Sequence, residues 1–593
     1  MEINLLGQPS VEQVGSEPYR PRSLKTWAVL GYLVLSERPP SRSRLSSLLF
    51  TEADDPLRAL RWNLTELRRV LGPESEVGGD PVELVLPPDV TIDVQLITTG
   101  TWKDAVGLPG LGEDLLAGLE RIGAPEFESW LLAERRYIAA STEDVLHEAA
   151  LALLARGEYD EALRLAVSLV GLNPYRESHQ ALLIRAYLTS GDAAAAETQL
   201  KACTELFVSE LGVVPGPAVR TVMQSEIVVT PPGGNIATFD ALMEAGIAVV
   251  SAGAGDAGAG SLRSAVALAD ALGDSNRSIR ARLALANAVF RSIQGDDEEG
   301  TMILHEAVEM ATEANEDDLH SLAKVELGYV DMLTARYDRA EQWLAPEHLA
   351  TGDPVAFARA YSYLGCMQSD RAEYGKAEEL FDQAIEHSRV AGSSPLEAYA
   401  ASLMGRMHFL RGDLELATSF LEAAIEMHDW FAFVPWPQTF LGEVALELGN
   451  LELAGQHLEQ AFARATQIGD PCWEGVSGRG LGLLAEARGE TARAFATLQD
   501  AADRCDRRSD TYVWAKAYIL DAQCSLGLLH SHESTSMWIE RFYDLVARTG
   551  MREFQVKAML HRTAFGIEDE SRAAINLAQY IDNPRLATVM TST

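Results

Sequence analysis

Residues Asp55–Gly72, DPLRALRWNLTELRRVLG, read as one helix, and the rest of the chain is arranged around it. Asp54 or Asp55 can cap its first amides, and Pro56 stands in the first turn, where a missing N–H costs nothing. Gly72-Pro73 ends it. Leu57, Leu60, Leu64, Leu67 and Leu71 recur at steps of three and four, which predicts one buried stripe. At about 100° per residue the opposite face carries Arg58, Trp62, Thr65, Glu66 and Arg69, with Arg61 and Arg68 on its flank. Arginines, an indole and two side chains able to bond base edges are what a DNA-reading helix needs. A solvated helix with a basic face is the plainer alternative.

The flanking residues favour the first reading. Glu2–Leu6 and Ser10–Val14 alternate apolar and polar and predict short strands around Gly7-Gln8-Pro9. Arg22–Ser36 predicts a helix with Leu24, Trp27, Ala28, Gly31 and Leu35 inward, broken by Pro39-Pro40. Ser41 caps a short second helix, Arg42–Phe50, with Leu45, Leu48 and Leu49 inward. Val82–Leu86 and Val90–Val94, joined by Pro87-Pro88-Asp89, predict a hairpin. Strands, three helices and a hairpin follow the order of a winged helix-turn-helix. In that fold the start of the second helix would place Ser41, Arg42 and Ser43 on a phosphate, and the third helix would enter the major groove.

Charge is distributed accordingly. The 593 residues carry a formal charge of −38. Pro18–Arg69 holds ten Lys/Arg against five Asp/Glu, or +5, whereas Pro231–Thr593 holds 29 against 54, or −25. A basic segment on an acidic chain fits nucleic acid at one end only. The five cysteines, Cys203, Cys366, Cys472, Cys505 and Cys524, lack CxxC spacing and fit a reducing cytosol better than a disulfide or zinc framework. MEINLLGQPS has no signal-peptide character, and no run of about 20 apolar residues is present to span a membrane.

A family resemblance becomes visible at this point. LRALRWNLTELRRVLG resembles the ALRxxVSRLRRALG-type helix of the OmpR-like domain in the Streptomyces antibiotic regulatory protein family. The resemblance implies base contacts from Arg61, Trp62 and Glu66, and phosphate contacts from Asn63, Thr65 and Arg68. Glu66 departs from the family, which usually has arginine there; a glutamate can accept from cytosine N4 but repels phosphate.

Gly112–Val222 extends the resemblance. Phe127-Glu128-Ser129-Trp130, Glu134-Arg135-Arg136, Asn173-Pro174-Tyr175-Arg176-Glu177 and Glu210-Leu211-Gly212-Val213-Val214-Pro215 resemble the bacterial transcriptional activator domain that follows the winged helix in that family. This implies double-stranded DNA and RNA polymerase as partners, and assembly of copies on promoter direct repeats, a homodimer on DNA included. Read without the resemblance, the segment is helical repeats, with turns at Gly157-Glu158-Tyr159 and Gly191-Asp192-Ala193 spaced by the 34-residue tetratricopeptide period. Arg135, Arg136, Arg176 and Glu177 then serve intradomain ion pairs or solvent.

Val229–Asn235, VTPPGGN, is a linker by composition. Beyond it one unit recurs: helix, turn, small residue, helix. The turns are Gly255-Asp256, Gly295-Asp296, Ala335-Arg336-Tyr337, Ala372-Glu373-Tyr374, Gly412-Asp413-Leu414, Gly449-Asn450-Leu451, Gly489-Glu490-Thr491 and Leu529-His530-Ser531. The small residues are Gly260, Gly300, Ala340, Ala377, Ala417, Ala454, Ala494 and Ser534. Their steps of 40, 40, 37, 40, 37, 40 and 40 predict a tetratricopeptide-like solenoid in which each repeat touches its neighbours, with capping helices from Arg552 to Thr593. The aromatic run Trp430–Phe440 is the densest in the chain, and Tyr399, Trp436 and Trp473 share one repeat phase. They predict core packing, or, with Trp430 and carboxylates such as Asp429, a groove for an unidentified protein or small-molecule effector.

Chemistry-bearing motifs are weak. Gly253, Gly255 and Gly258 spell GxGxxG with Asp270 beyond, but they fall on a repeat turn and no second βαβ unit follows. Gly375-Lys376-Ala377 lacks the rest of a phosphate loop, no HExxH occurs, and His530-Ser531-His532 reads as a solvated turn rather than a metal site. No nucleophilic constellation can be assembled. The chain is therefore read as a non-enzymatic cytoplasmic regulator without cofactor or metal. Its expected fold is mainly α: a winged helix at 1–97, a helical activator domain at 98–228 and a repeat solenoid at 236–593. The alternative is an interaction scaffold whose winged helix no longer binds DNA specifically.

Overall fold

The computed structural model describes residues 1–12, 21–36, 39–119, 122–216, 219, 222, 235–291, 297–349, 352–427, 431–507, 512–567 and 569–586. Val14, the linker before Asn235, the Gly295-Asp296 turn, Asp429, Trp430 and the last residues to Thr593 lie outside them. The fold is mainly α, with small sheets confined, among the described residues, to the N-terminal part, and two compact units are present, Met1–Ala149 and Ala150–Thr593.

The first unit begins with a winged helix-turn-helix. Helix α1 (Leu24–Leu35) is capped by the Ser23 side chain, α2 (Arg42–Leu49) by Ser41 and α3 (Pro56–Leu71) by Asp55. Gly72 closes α3 at φ 79°, a backbone region that only glycine enters without strain. Thr26, Trp27, Val29 and Leu30 of α1, Leu45, Leu48 and Leu49 of α2, and Leu60, Leu64, Leu67, Val70 and Leu71 of α3 are buried.

Strands β1 (Glu2–Asn4) and β2 (Ser10–Glu12) pair antiparallel with Ile3 opposite Val11. The hairpin after α3 differs from expectation. It joins β3 (Glu76–Gly78) to β4 (Glu83–Val85), with Val77 opposite Leu84. The segment expected as its second arm instead forms β5 (Thr91–Ile92), which pairs parallel with β1, and Val94 already belongs to helix α4 (Asp93–Thr98). The physical reason is Asp93. Its buried carboxylate accepts from the amides of Leu5 and Leu6 at 2.7 and 2.8 Å and from Val94 at 2.7 Å, so β5 is pinned beside β1. Burial pushes that carboxyl above its ordinary range.

The second unit is a helical array. Tyr159–Leu172, Glu177–Thr189 and Ala193–Leu206 come first. From Ile236 to Ala578 nine helix pairs follow among the described residues, from Ile236–Ser251 with Gly255–Leu272 to Arg552–Phe565 with Ser571–Ala578. The helix before Gly255 replaces the strand that a dinucleotide fingerprint requires. The turns occur at Ala335, Ala372, Gly412, Gly449 and Gly489, all with positive φ, and Ser531, also at positive φ, lies within the expected Leu529-His530-Ser531 turn, but the first turn falls on Gly253, two residues before Gly255. Gly260 is accordingly exposed, and Gly258 takes the close contact.

Ala340, Ala377, Ala417, Ala454 and Ala494 are fully buried at the start of the second helices. The facing first helices carry glycines at the same period. A Cβ on Gly328, Gly365, Gly405, Gly442 or Gly482 would lie 2.6–2.8 Å from Leu344, Phe381, Leu421, Leu458 or Leu498. Each pair therefore closes through a small residue on both helices.

The expectation that repeats touch only their neighbours is corrected. Tyr512 Oη contacts Cys366 Sγ at 3.3 Å and accepts from Arg406 Nη1 at 2.8 Å, 146 and 106 residues away in sequence. Tyr374 donates to Glu553 at 2.9 Å, Arg552 pairs with Glu373 at 2.7 Å and Arg585 with Glu447 at 2.6 Å. One apolar cluster runs from Val325 to Ala558. The array curls until its last repeats fill its own interior.

Candidate nucleic-acid interface

Helix α3 presents a polar outer face. Arg58, Arg61, Trp62, Thr65, Arg68 and Arg69 are exposed, the Trp62 indole at 45%. The amphipathic pattern produces this directly, because the buried stripe holds the opposite face against α1 and α2. Not every expected side chain lies where the periodicity put it. Leu57 is 49% exposed and Leu24 is exposed too, each in the first turn of its helix.

Asn63 and Glu66 are corrected most clearly. Asn63 is buried: its Oδ1 accepts from Thr26 Oγ1 at 2.9 Å and its Nδ2 donates to the Ala59 carbonyl at 2.9 Å. It ties α3 to α1 and does not reach a phosphate here. Glu66 is 2% exposed and accepts from Arg69 Nη1 at 2.7 Å, so it turns inward and orients an arginine instead of reading cytosine. The sequence signal was available, because residues 60, 63, 64, 67, 70 and 71 form a wider stripe than leucines alone, and Glu66 lies on its edge.

Arg68 is spent partly on the fold. Its Nε and Nη2 both donate to the Val77 carbonyl, at 2.8 and 2.6 Å, and so fix the hairpin to α3. Arg42 behaves alike, with its Nε on the Gly79 carbonyl at 2.8 Å.

The start of α2 is partly occupied from within. The Arg42 amide donates to Asp80 Oδ1 at 2.9 Å, and the Arg44 amide to Ser41 Oγ at 3.0 Å. Of the amides expected to meet a phosphate, that of Arg42 thus already has an internal acceptor. Ser41 and Ser43 are exposed, and Arg42 is half-buried. The hairpin tip is acidic: Ser75–Leu86 carries Glu76, Asp80 and Glu83 and no Lys or Arg.

Of the two readings of the aromatic ladder, core packing or groove, Trp436 follows core packing. Trp436 is 2% exposed and packs in the central cluster, with Trp473 at 4.9 Å and Phe440 at 4.9 Å between ring centroids. Tyr399 and Trp473 are half-buried against the same cluster and meet through Phe433, at 5.0 and 5.8 Å. Trp430 lies outside the described residues. Arg135, whose Nε and Nη2 donate to the Leu115 and Leu116 carbonyls at 2.7 and 3.0 Å, holds the chain before its own helix, Pro125–Ala155.

Residues 105–227 match the family model of the bacterial transcriptional activator domain. No curated protein matches the chain. Among solved structures, the chain is similar to Mycobacterium tuberculosis EmbR in complex with a low-affinity phosphopeptide, at 21% identity and a TM-score of 0.30, over 37% of this chain and 63% of that one. It is also similar to a Rap protein complexed with competence and sporulation factor, at 14% identity and a TM-score of 0.41, over 52% and 87% of the two chains. A signal transduction ATPase with a tetratricopeptide repeat sensor from Pyrococcus horikoshii aligns at 12% identity and a TM-score of 0.35, over 84% and 74%. At these TM-scores none bears on what this chain binds.

The winged helix and the matched segment define a class, the transcriptional regulators built on a bacterial transcriptional activator domain. The matched domain follows the winged helix, as the resemblance to the Streptomyces antibiotic regulatory proteins implies, and a tetratricopeptide-like array follows it in turn.

Proposed function

We propose that the chain binds double-stranded DNA through α3 and activates transcription by bringing RNA polymerase to promoters with direct repeats. The single observation that carries DNA binding is the outer face of α3, where Arg58, Arg61, Trp62, Thr65 and Arg69 stand together in solvent. Arginine reads guanine bidentately, threonine and indole reach base edges and thymine methyls, and Arg58 and Arg69 suit phosphates at either end. In this reading Ser41, Ser43 and Arg42 meet a phosphate only after Asp80 yields the α2 terminus. Residues 1–97 serve as the DNA-binding domain, 98–228 as the activator domain and 236–593 as sensor or partner dock. The chain acts as a cytoplasmic regulator without catalysis.

The test is binding of the full chain to genomic fragments at low and moderate salt. Sequence-selective retention that is lost in Arg61→Ala and Trp62→Ala supports the reading. The acidic hairpin tip favours a second reading, a scaffold whose winged helix has given up DNA. Absence of retention at any salt concentration would favour that one.

A further inference from the structure

Helix Asp297–Ala314 is buried on two faces. Leu304, Ala307 and Ala311 turn into the array's own core beside Leu283 and Leu319. Glu298, Thr301 and His305 follow one another at steps of three and four on a face roughly 120° away around the helix, yet they are only 6, 8 and 5% exposed. A dry polar stripe needs a polar cover, because a carboxylate withdrawn from water without a partner is strongly disfavoured.

The structure identifies that cover. Arg185 Nε lies 3.3 Å from Glu298 Oε2, with side-chain exposures of 15% and 7%, the two residues being 113 positions apart in sequence. Arg185 belongs to Glu177–Thr189, inside the segment matched by the activator-domain model. That helix is itself largely buried, His179 included. A guanidinium suits such a pair, since its planar fork is weakly hydrated and matches a carboxylate.

We infer that the Glu298–Thr301–His305 stripe is a docking surface for the activator domain of the same chain, anchored by Arg185, and that the state of the repeat array reaches the activator domain through it. The docking stands on the geometry alone. The regulatory half rests on the proposed transcriptional function. Docking restrains the activator domain, and a ligand of the array acts only by favouring the docked or the undocked arrangement.

The experiment is charge reversal with rescue in the full chain. Hydrogen exchange is followed in helix Glu177–Thr189, with promoter occupancy and reporter output measured in cells. Glu298→Arg and Arg185→Glu should each speed exchange of that helix by about tenfold, and the double reversal should restore it. Glu298→Gln, a milder change, should give a smaller increase. Faster exchange confined to Asp297–Ala314 and its repeat neighbours, or a double variant no better than either single, overturns the docking. In cells the single reversals should leave occupancy unchanged and raise output at least about threefold, with the double variant back at the wild-type level. Altered exchange with unaltered output overturns the regulatory half. Absence of occupancy in the wild-type protein sinks the DNA-binding reading and leaves the docking to be judged on exchange.

Discussion

Arg406 Nη2 lies 2.8 Å from Asp370 Oδ1, and neither side chain has any exposed surface. The Asp370 carboxylate also accepts from Tyr512 at 2.7 Å and from Tyr337 at 3.0 Å, while the Arg406 guanidinium sits 4.5 Å from the centre of the Trp514 ring. Helices far apart in sequence thus converge on one buried ion pair. Arg406→Ala should cost roughly 3–5 kcal/mol, because it strands a buried carboxylate. Arg406→Met combined with Asp370→Leu should cost much less. Urea denaturation of the full chain measures both. Equal costs for the single and double variants would show that the pair's charges are not what holds this region.

The glycines on the first helices give a sharper packing test. Gly365→Ala would set a Cβ 2.7 Å from the Phe381 ring, an overpacking that should destabilise by about 1–3 kcal/mol. Gly260→Ala meets no atom within 4 Å and lies in a helix, so it should stabilise by roughly 0.5–1 kcal/mol. Thermal melting separates the two. A destabilising Gly260→Ala would place the first repeat back in the register of its successors.

Much of this was legible in the sequence. Asp55, Pro56 and Gly72 marked α3 within one residue of each end, and Ala340 to Ala494 carried the repeat period. What was not legible is long-range. The β1–β5 pairing depends on Asp93 meeting amides about 87 residues away, and the curling of the array depends on Tyr512 meeting Arg406. No local periodicity encodes either. The same closure removed Trp436 from the surface, whereas Tyr399 and Trp473, at the edge of the cluster, stayed half-buried. Asn63 and Glu66 were misplaced because polar residues at the border of a stripe go inward only when a partner awaits them, here Thr26 and Arg69.

Asp521 makes the C-terminal repeats sensitive to acid. Burial opposes its charge, but Lys557 at 3.3 Å and His561 at 2.9 Å outweigh that, and its carboxyl is held well below the usual carboxylate range. A carboxyl depressed in the folded state stabilises above its unfolded value, about pH 4, and loses that contribution as pH falls toward the folded value. Stability should therefore decline below about pH 4, and Asp521→Asn should flatten that decline while lowering stability at neutral pH. Melting curves from pH 7 down to pH 3 decide it. An unchanged acid profile in Asp521→Asn would assign the acid sensitivity to other groups.

Asp80 competes with the phosphate expected at the start of α2. Asp80→Ala should free the Arg42 amide and remove a charge from the hairpin tip, raising non-specific DNA affinity severalfold at low salt. Titration by fluorescence anisotropy measures this. Weaker binding in a variant that melts normally would mean that Asp80 positions α2 for DNA.

The most direct test of the central claim is the affinity of the full chain for its selected genomic fragment, compared among wild type, Trp62→Ala, Arg61→Ala and Asn63→Ala. The account predicts sequence-selective binding that Trp62→Ala and Arg61→Ala each weaken by roughly 1–3 kcal/mol. Asn63→Ala should chiefly lower stability, because it leaves the Thr26 hydroxyl unpaired inside. Equal affinity for all DNA, indifferent to Arg61 and Trp62, would contradict the account.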